Sequence, residues 1–106
     1  MPKYLIQASY TAEGLKGLQK DKASGRQQAV RQVVEGVGGR LECIYYALGE
    51  DDVVIIADLP DNVAVSAVSL GVSATGFVRT RTTALLTVEE VDKALGTKIN
   101  YRKPGG

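Results

Sequence analysis

The chain has 106 residues, of which 44% are hydrophobic and 24% are charged, a composition typical of one folded domain rather than a disordered chain. Thirteen basic residues against twelve acidic ones give a net charge of +1, which indicates neither a nucleic-acid partner nor an anionic-membrane partner. The single cysteine excludes an intramolecular disulfide, and the absence of histidine removes the commonest metal ligand and the commonest general base.

Alternating apolar and polar residues predict a first strand at residues 3–10. Thr11 is a good N-cap for a short helix, and the polar residues 21–25 are expected to end it. A stripe of alanine and valine then predicts a longer helix over residues 24–37, with Arg26 on its outer, solvated side.

The second half of the chain predicts a hairpin, a helix, a fourth strand and a short last helix. The hairpin joins an aromatic strand to a continuous apolar run, which is typical of a central strand covered on both faces. Asp61 is expected to cap the helix, and Thr87 and Glu90 form a capping box for the last one. The predicted bounds are residues 40–48 and 53–57 for the hairpin strands, 62–74 for the helix, 77–86 for the fourth strand and 87–96 for the last helix.

This order of elements (strand, helix, strand, strand, helix, strand) is that of the ferredoxin-like α+β sandwich. It predicts a four-stranded antiparallel sheet with strand order 4-1-3-2 and both main helices on one face. We expect strands 1 and 3 at the centre of the sheet, running parallel to each other. Residues 1–96 form a single domain in this interpretation, and residues 97–106 form a loose C-terminal tail.

Side-chain parity divides the predicted sheet into one face under the helices and a second face that no main helix covers. Cys43 falls on the helix face, where it is expected to act as a small buried hydrophobe. The second face holds the apolar residues Leu5, Ile44, Tyr46, Leu48, Val54, Ile56 and Leu85. A face this apolar is not typical of a monomer surface. We therefore expect a homo-oligomer, a dimer or a multiple of dimers, in which a second copy covers this face.

Polar side chains gather on the second face at the end of the first strand. Arg79 and Arg81 of the fourth strand are expected beside this end and would favour a small anionic ligand. Tyr46 is placed to stack an aromatic part of that ligand, and Lys16, soon after the first strand, is placed to reach it. The candidate ligand-binding residues are thus Gln7, Ser9, Lys16, Tyr46, Arg79 and Arg81.

The two arginines have a second interpretation. Glu42 and Asp58 end at the same edge of the predicted sheet, and buried charges need partners of opposite sign. The arginines can therefore equally form ion pairs at the interface of an oligomer. The sequence leaves both interpretations open.

Three segments of the chain, in this order, resemble the GYD domain proteins. They are Tyr-Thr-Ala-Glu-Gly-Leu-Lys-Gly-Leu at residues 10–18, Gly-Glu-Asp-Asp-Val-Val-Ile at residues 49–55, and Asp-Leu-Pro-Asp-Asn at residues 58–62. The namesake Gly-x-Tyr-Asp turn of that family corresponds to Gly49 and Asp52, and Asp51 stands at the tyrosine position. The resemblance covers nearly the whole chain.

The resemblance implies a small bacterial protein whose fold is similar to that of the dimeric α/β-barrel proteins, in a family without an established general activity. The residues themselves show no base beside a nucleophile, and we expect a non-catalytic protein that binds a small anionic or aromatic ligand. The alternative is a cofactor-free, monooxygenase-like enzyme of the dimeric α/β-barrel type, which rests on analogy of fold alone.

No cofactor or metal is expected from the motifs. The glycines at residues 36–39 lie after a helix and before a strand, the reverse of a dinucleotide-binding turn. The acidic residues 50–52 lack the spacing of a calcium loop. No apolar run reaches the roughly 20 residues that cross a bilayer, and the first residues do not begin a signal peptide, so we expect a cytoplasmic protein without a membrane partner.

Overall fold

The computed structural model describes residues 1–106 as a four-stranded sheet with three helices. The elements are β1 (Lys3–Tyr10), α1 (Ala12–Gly36), β2 (Arg40–Tyr46), β3 (Val53–Asp58), α2 (Asn62–Ser73), β4 (Val78–Leu85) and α3 (Val88–Leu95). The strand order is β2-β3-β1-β4, and every neighbouring pair is antiparallel. This confirms the predicted ferredoxin-like α+β fold. The expectation that the central strands β1 and β3 run parallel was wrong. Strand β2 runs in the same direction as β1, and β3 returns from β2 in a hairpin, so β3 runs antiparallel to β1.

Helix α1 covers both helical segments that the sequence predicts, with a sharp kink between them. Lys22, inside the predicted polar break, has a φ of 65° and a ψ of 167°, which are not helical values. The left-handed φ is unusual for a residue with a side chain, and it changes the direction of the chain at this point. The segment after the kink packs on the sheet through Val34, which is buried.

The hydrophobic core lies between the sheet and the two main helices. Alternate residues of β1 and β3 supply most of it, and Val34 of α1 and Val65 of α2 close it from the helix side. The buried apolar residues are Tyr4, Ile6, Ala8, Val34, Leu41, Val53, Ile55, Ala57, Leu59 and Val65. Such alternation is what a strand with one covered face requires.

A β-bulge in β2 reverses the predicted parity of that strand. Leu41 pairs with Ala57 and Cys43 pairs with Ile56, so the intervening Glu42 has no partner on β3. One extra residue moves every following side chain to the opposite face of the sheet. The assignment of Ile44 and Tyr46 to the second face, and of Cys43 to the helix face, was therefore wrong.

The sheet face opposite the helices, called the open face below, is still apolar after this correction. Leu5 pairs with Ile56 across the centre of this face, and both side chains are half-buried by their neighbours alone. Val54, Leu85 and the exposed ring of Tyr45 continue the apolar surface. No helix of the chain packs against this face.

A cluster of charges closes one edge of the open face. Asp58 is buried, and its two oxygens each lie 3.0 Å from a cation, Nζ of Lys3 and Nη2 of Arg40. Lys3 also donates to Glu42 at the bulge. The hydrogen bond from Lys3, followed by that from Arg40, lowers the pKa of Asp58 against the opposing effect of its burial.

Replacing Asp58 tests this cluster. Asp58→Asn is expected to lower the free energy of unfolding at pH 7 by about 1–2 kcal/mol, because two cations lose a charged acceptor. Since the pKa is lowered in the folded state, the contribution of the carboxylate is present above about pH 4 and is lost as the pH falls through the folded pKa. The difference between wild type and variant should therefore shrink below about pH 4 in urea unfolding. Asp92→Asn, on the exposed helix α3, is the control and should change neither the free energy of unfolding at pH 7 nor its dependence on pH.

Candidate functional site

The structure brings four of the predicted site residues together on the open face. Arg81 lies opposite Gln7, and Arg79 lies opposite Ser9, as the sequence predicted. Asp51 of the β2–β3 turn, which the sequence analysis did not include, joins them: it forms a salt bridge with Arg81 and accepts a hydrogen bond from Oγ of Ser9 at 3.0 Å. Gln7, Ser9, Arg79 and Arg81, called the open-face row below, are thus part of a partly neutralised cluster, and the two arginines are not a pair of free cations.

The charge of Arg81 is balanced within the chain. Its hydrogen bond lowers the pKa of Asp51, and the same bond raises the pKa of Arg81. Arg79 is exposed and forms no salt bridge within the chain. Arg79 is therefore the residue of the row that is available to a partner or to an anion.

The structure separates the other two predicted site residues from this row. Lys16 lies exposed on α1, with Nζ 3.4 Å from Oε1 of Glu13. Tyr46 lies on the helix side of the sheet because of the bulge, and its hydroxyl is 3.3 Å from that of Tyr10. Tyr46 therefore cannot flank a ligand held by the open-face arginines.

The Gly-Glu-Asp-Asp turn binds the end of β1. Oδ2 of Asp52 accepts the backbone N–H of Tyr10 at 2.9 Å, and the backbone N–H of Asp52 donates to the carbonyl of Ala8 at 2.9 Å. These bonds fix the β2–β3 hairpin to the last residues of β1. Asp52 thus holds the hairpin against β1, while Asp51 beside it binds Ser9 and Arg81.

The start of α1 is packed closely against the start of β4. The N–H of Thr11 donates to the carbonyl of Phe77 at 3.0 Å, and the Thr11 hydroxyl accepts from the N–H of Gly14 as the N-cap. A Cβ on Gly14 would lie 2.0 Å from the Phe77 carbonyl oxygen, a distance that no side chain tolerates. Glycine is therefore required at this position for packing.

Two glycines of α1 provide a matched test of this packing. Gly14→Ala is expected to destabilise the protein by about 1–3 kcal/mol, because the backbone of β4 must move away. Gly17→Ala, where an added Cβ meets nothing within 4 Å, should stabilise it by up to about 1 kcal/mol through helix propensity. Thermal and urea unfolding measure both values. Equal effects of the same sign would contradict the close approach at Gly14.

A cavity lies on the helix side of the sheet, between α1, α2 and the strands. This helix-side cavity has a volume of about 80 Å³, and its lining is almost entirely aliphatic. It adjoins a wider, open depression of about 350 Å³, called the mouth below. The residues shared by cavity and mouth are Tyr10, Arg26, Val72 and Val78.

Arg26 is the single cation that lines this space, and it is partly buried rather than on the fully solvated side of the helix that the sequence predicted. Its side chain is 31% exposed, and Nε is buried without any hydrogen-bond partner. Nη1 lies 3.8 Å from Oδ2 of Asp21, which is too long for a hydrogen bond. The turn that carries Arg26 follows the kink at Lys22, and Arg26 lines the cavity together with Ile6 and Ala8 of the sheet. The sequence gives no signal for the left-handed φ at this kink, because it falls on Lys22 and not on a glycine, the residue that would indicate it.

Tyr10, whose hydroxyl is paired with that of Tyr46, lies beside the same cavity. Tyr10 contributes to the lining of the cavity and of its mouth. Burial, followed by the hydrogen bond with Tyr10, raises the pKa of Tyr46, and the positive charge of Arg26 acts weakly in the opposite direction. Tyr46 therefore remains a neutral phenol at physiological pH.

Comparison with known proteins identifies the family. The chain matches the GYD domain over residues 4–95 and belongs to that family, as the three segments of the sequence indicated. No match was found among the curated proteins or among the solved structures. None of the helices combines the length and apolar character needed to cross a membrane. No group of three or more metal-ligating side chains is clustered in the structure.

Proposed function

We propose that this GYD domain protein acts as a homo-oligomer that binds a small anionic or aromatic ligand. The observation that carries the assembly is the apolar open face, which nothing in the chain covers, and the helix-side cavity with Arg26 at its mouth supports the ligand. Leu5, Val54, Ile56 and Leu85 form a contiguous surface across three strands. An apolar surface of this kind on a small domain favours association with a matching surface, and a second copy supplies one by symmetry.

The C-terminal part of the chain supports assembly independently. Every residue from 86 to 106 is exposed, and Leu95 and Ile99 are 79% and 76% exposed. Helix α3 nevertheless has a complete capping box, and a helix of eight residues is marginal in water without packing. The radius of gyration is 17.0 Å, against about 13 Å for a compact chain of about 100 residues. A partner subunit would give this projecting segment a surface to pack on.

Ile56, near the centre of the open face, tests the assembly. Ile56→Thr keeps a β-branched side chain in the strand but removes apolar area, and it is expected to raise the dissociation constant of the oligomer about 10-fold or more. Analytical ultracentrifugation would show a shift toward the monomer mass of 11.3 kDa. Leu70→Gln, at a 72% exposed position on α2, is the control on the opposite side. A wild-type protein that is monomeric at micromolar concentration contradicts the proposal.

Arg79 decides between the two interpretations of the open-face row. Because Asp51 already neutralises Arg81, we expect Arg79 to form an ion pair with a carboxylate of the partner subunit rather than to bind a free anion. Arg79→Ala should then weaken the oligomer and leave the thermal shift caused by small carboxylates unchanged. Loss of that thermal shift with an intact oligomer would instead assign Gln7, Ser9 and Arg79 to a ligand pocket.

A further inference from the structure

The helix-side cavity has the properties of a binding site for an apolar group. Protein interiors are closely packed, so a void of about 80 Å³ lined by aliphatic side chains is a distinctive feature of a core this small. Water is poorly held there, because the walls offer it few hydrogen-bond partners. A cavity of this kind that opens into a wider mouth is typical of small-molecule sites.

Arg26 supplies the polar group that such a site needs. A buried N–H without an acceptor is unfavourable, and the Arg26 side chain has one at Nε. The same guanidinium forms only a long ion pair, since Asp21 is 3.8 Å away and half in solvent. Arg26 also lines the mouth, where a carboxylate would accept from a terminal nitrogen of the guanidinium in place of the long contact with Asp21.

The charges around the mouth restrict the ligand further. Glu13 and Asp21 also line the mouth, and Glu13 is paired with Lys16 near the surface. These carboxylates repel a multiply charged anion such as phosphate more strongly than a single carboxylate, which Arg26 attracts. The ring of Tyr10 in the wall suits an aromatic or branched body rather than a long chain.

The segment that resembles the family forms much of this mouth. The lining residues that belong to residues 10–18 are Tyr10, Glu13, Gly14, Gly17 and Leu18. Gly14 and Gly17 present no side chain there, so the mouth stays open between α1 and β4. Residues 10–18 thus shape the mouth of the cavity and also hold the start of α1 against the start of β4.

We propose that the helix-side cavity binds the apolar body of a small monocarboxylic acid, and that Arg26 binds its carboxylate at the mouth. The inference rests on the proposed function, to which it adds a site and a ligand class. The site lies on the side of the sheet opposite Arg79 and the open face, and its occupation does not require a second copy.

Benzoate is a suitable probe, with benzyl alcohol as its neutral counterpart. Isothermal titration calorimetry should show benzoate binding to the wild type, and benzyl alcohol binding at least about 10-fold more weakly. Arg26→Gln should weaken benzoate binding by a similar factor, whereas Arg31→Gln, an exposed arginine of the same helix, should have no effect. Ala29→Leu adds a larger apolar side chain to the wall of the cavity and should also abolish binding, with folding verified by thermal unfolding.

Three results would overturn the inference. These are no benzoate binding to the wild type at millimolar concentration, equal binding by Arg26→Gln and wild type, and equal affinity for benzyl alcohol and benzoate. If Arg79→Ala loses benzoate binding while Arg26→Gln retains it, the ligand lies on the open face, so the proposed function holds and this site does not. If Ile56→Thr is monomeric and still binds benzoate through Arg26, the site is established separately from the oligomer.

Discussion

Lys3 binds two carboxylates at the edge of the sheet where β2 carries its bulge, and much of the structure depends on this arrangement. It contacts Glu42, the unpaired residue of the bulge, and Asp58, whose other oxygen accepts from Arg40. These charges favour the extra residue at this point. The extra residue in turn directs Ile44 toward the helices, where it lines the cavity. This one local irregularity thus decides which residues of β2 lie on the open face and which line the helix-side cavity.

The residues that resemble the GYD domain proteins converge at the other end of β1. Asp52 binds the backbone of Tyr10, Thr11 caps α1 while bonding to Phe77, and Gly14 permits the close approach of the two chains. Each of these residues satisfies a backbone group or removes a steric obstacle where three elements meet. Their presence together indicates a shared geometry at this corner, and the mouth of the cavity opens beside it, lined by Gly14, Gly17 and Phe77.

The sequence predicted what depends on local patterns and missed what depends on a single irregular residue. The order of elements, the caps Thr11 and Asp61, and the break in α1 follow from periodicity and capping chemistry, and the structure has them all. The bulge at Glu42 leaves no mark in the alternation of the sequence, so half of β2 was assigned to the wrong face. Arg26 was placed in solvent because an arginine on a helix is usually solvated, and only the kink shows otherwise.

Strand β1 connects the two surfaces on which the proposals rest. Ile6 and Ala8 line the helix-side cavity, while Leu5 and Gln7 between them face the open side, since successive residues of a strand alternate. A shift of β1 along its neighbours would exchange the two sets, which its pairing on both sides and the bonds of Asp52 oppose. The pairing that fixes the open face on one side therefore also fixes the floor of the cavity on the other, because the floor cannot relax inward without disturbing the open face.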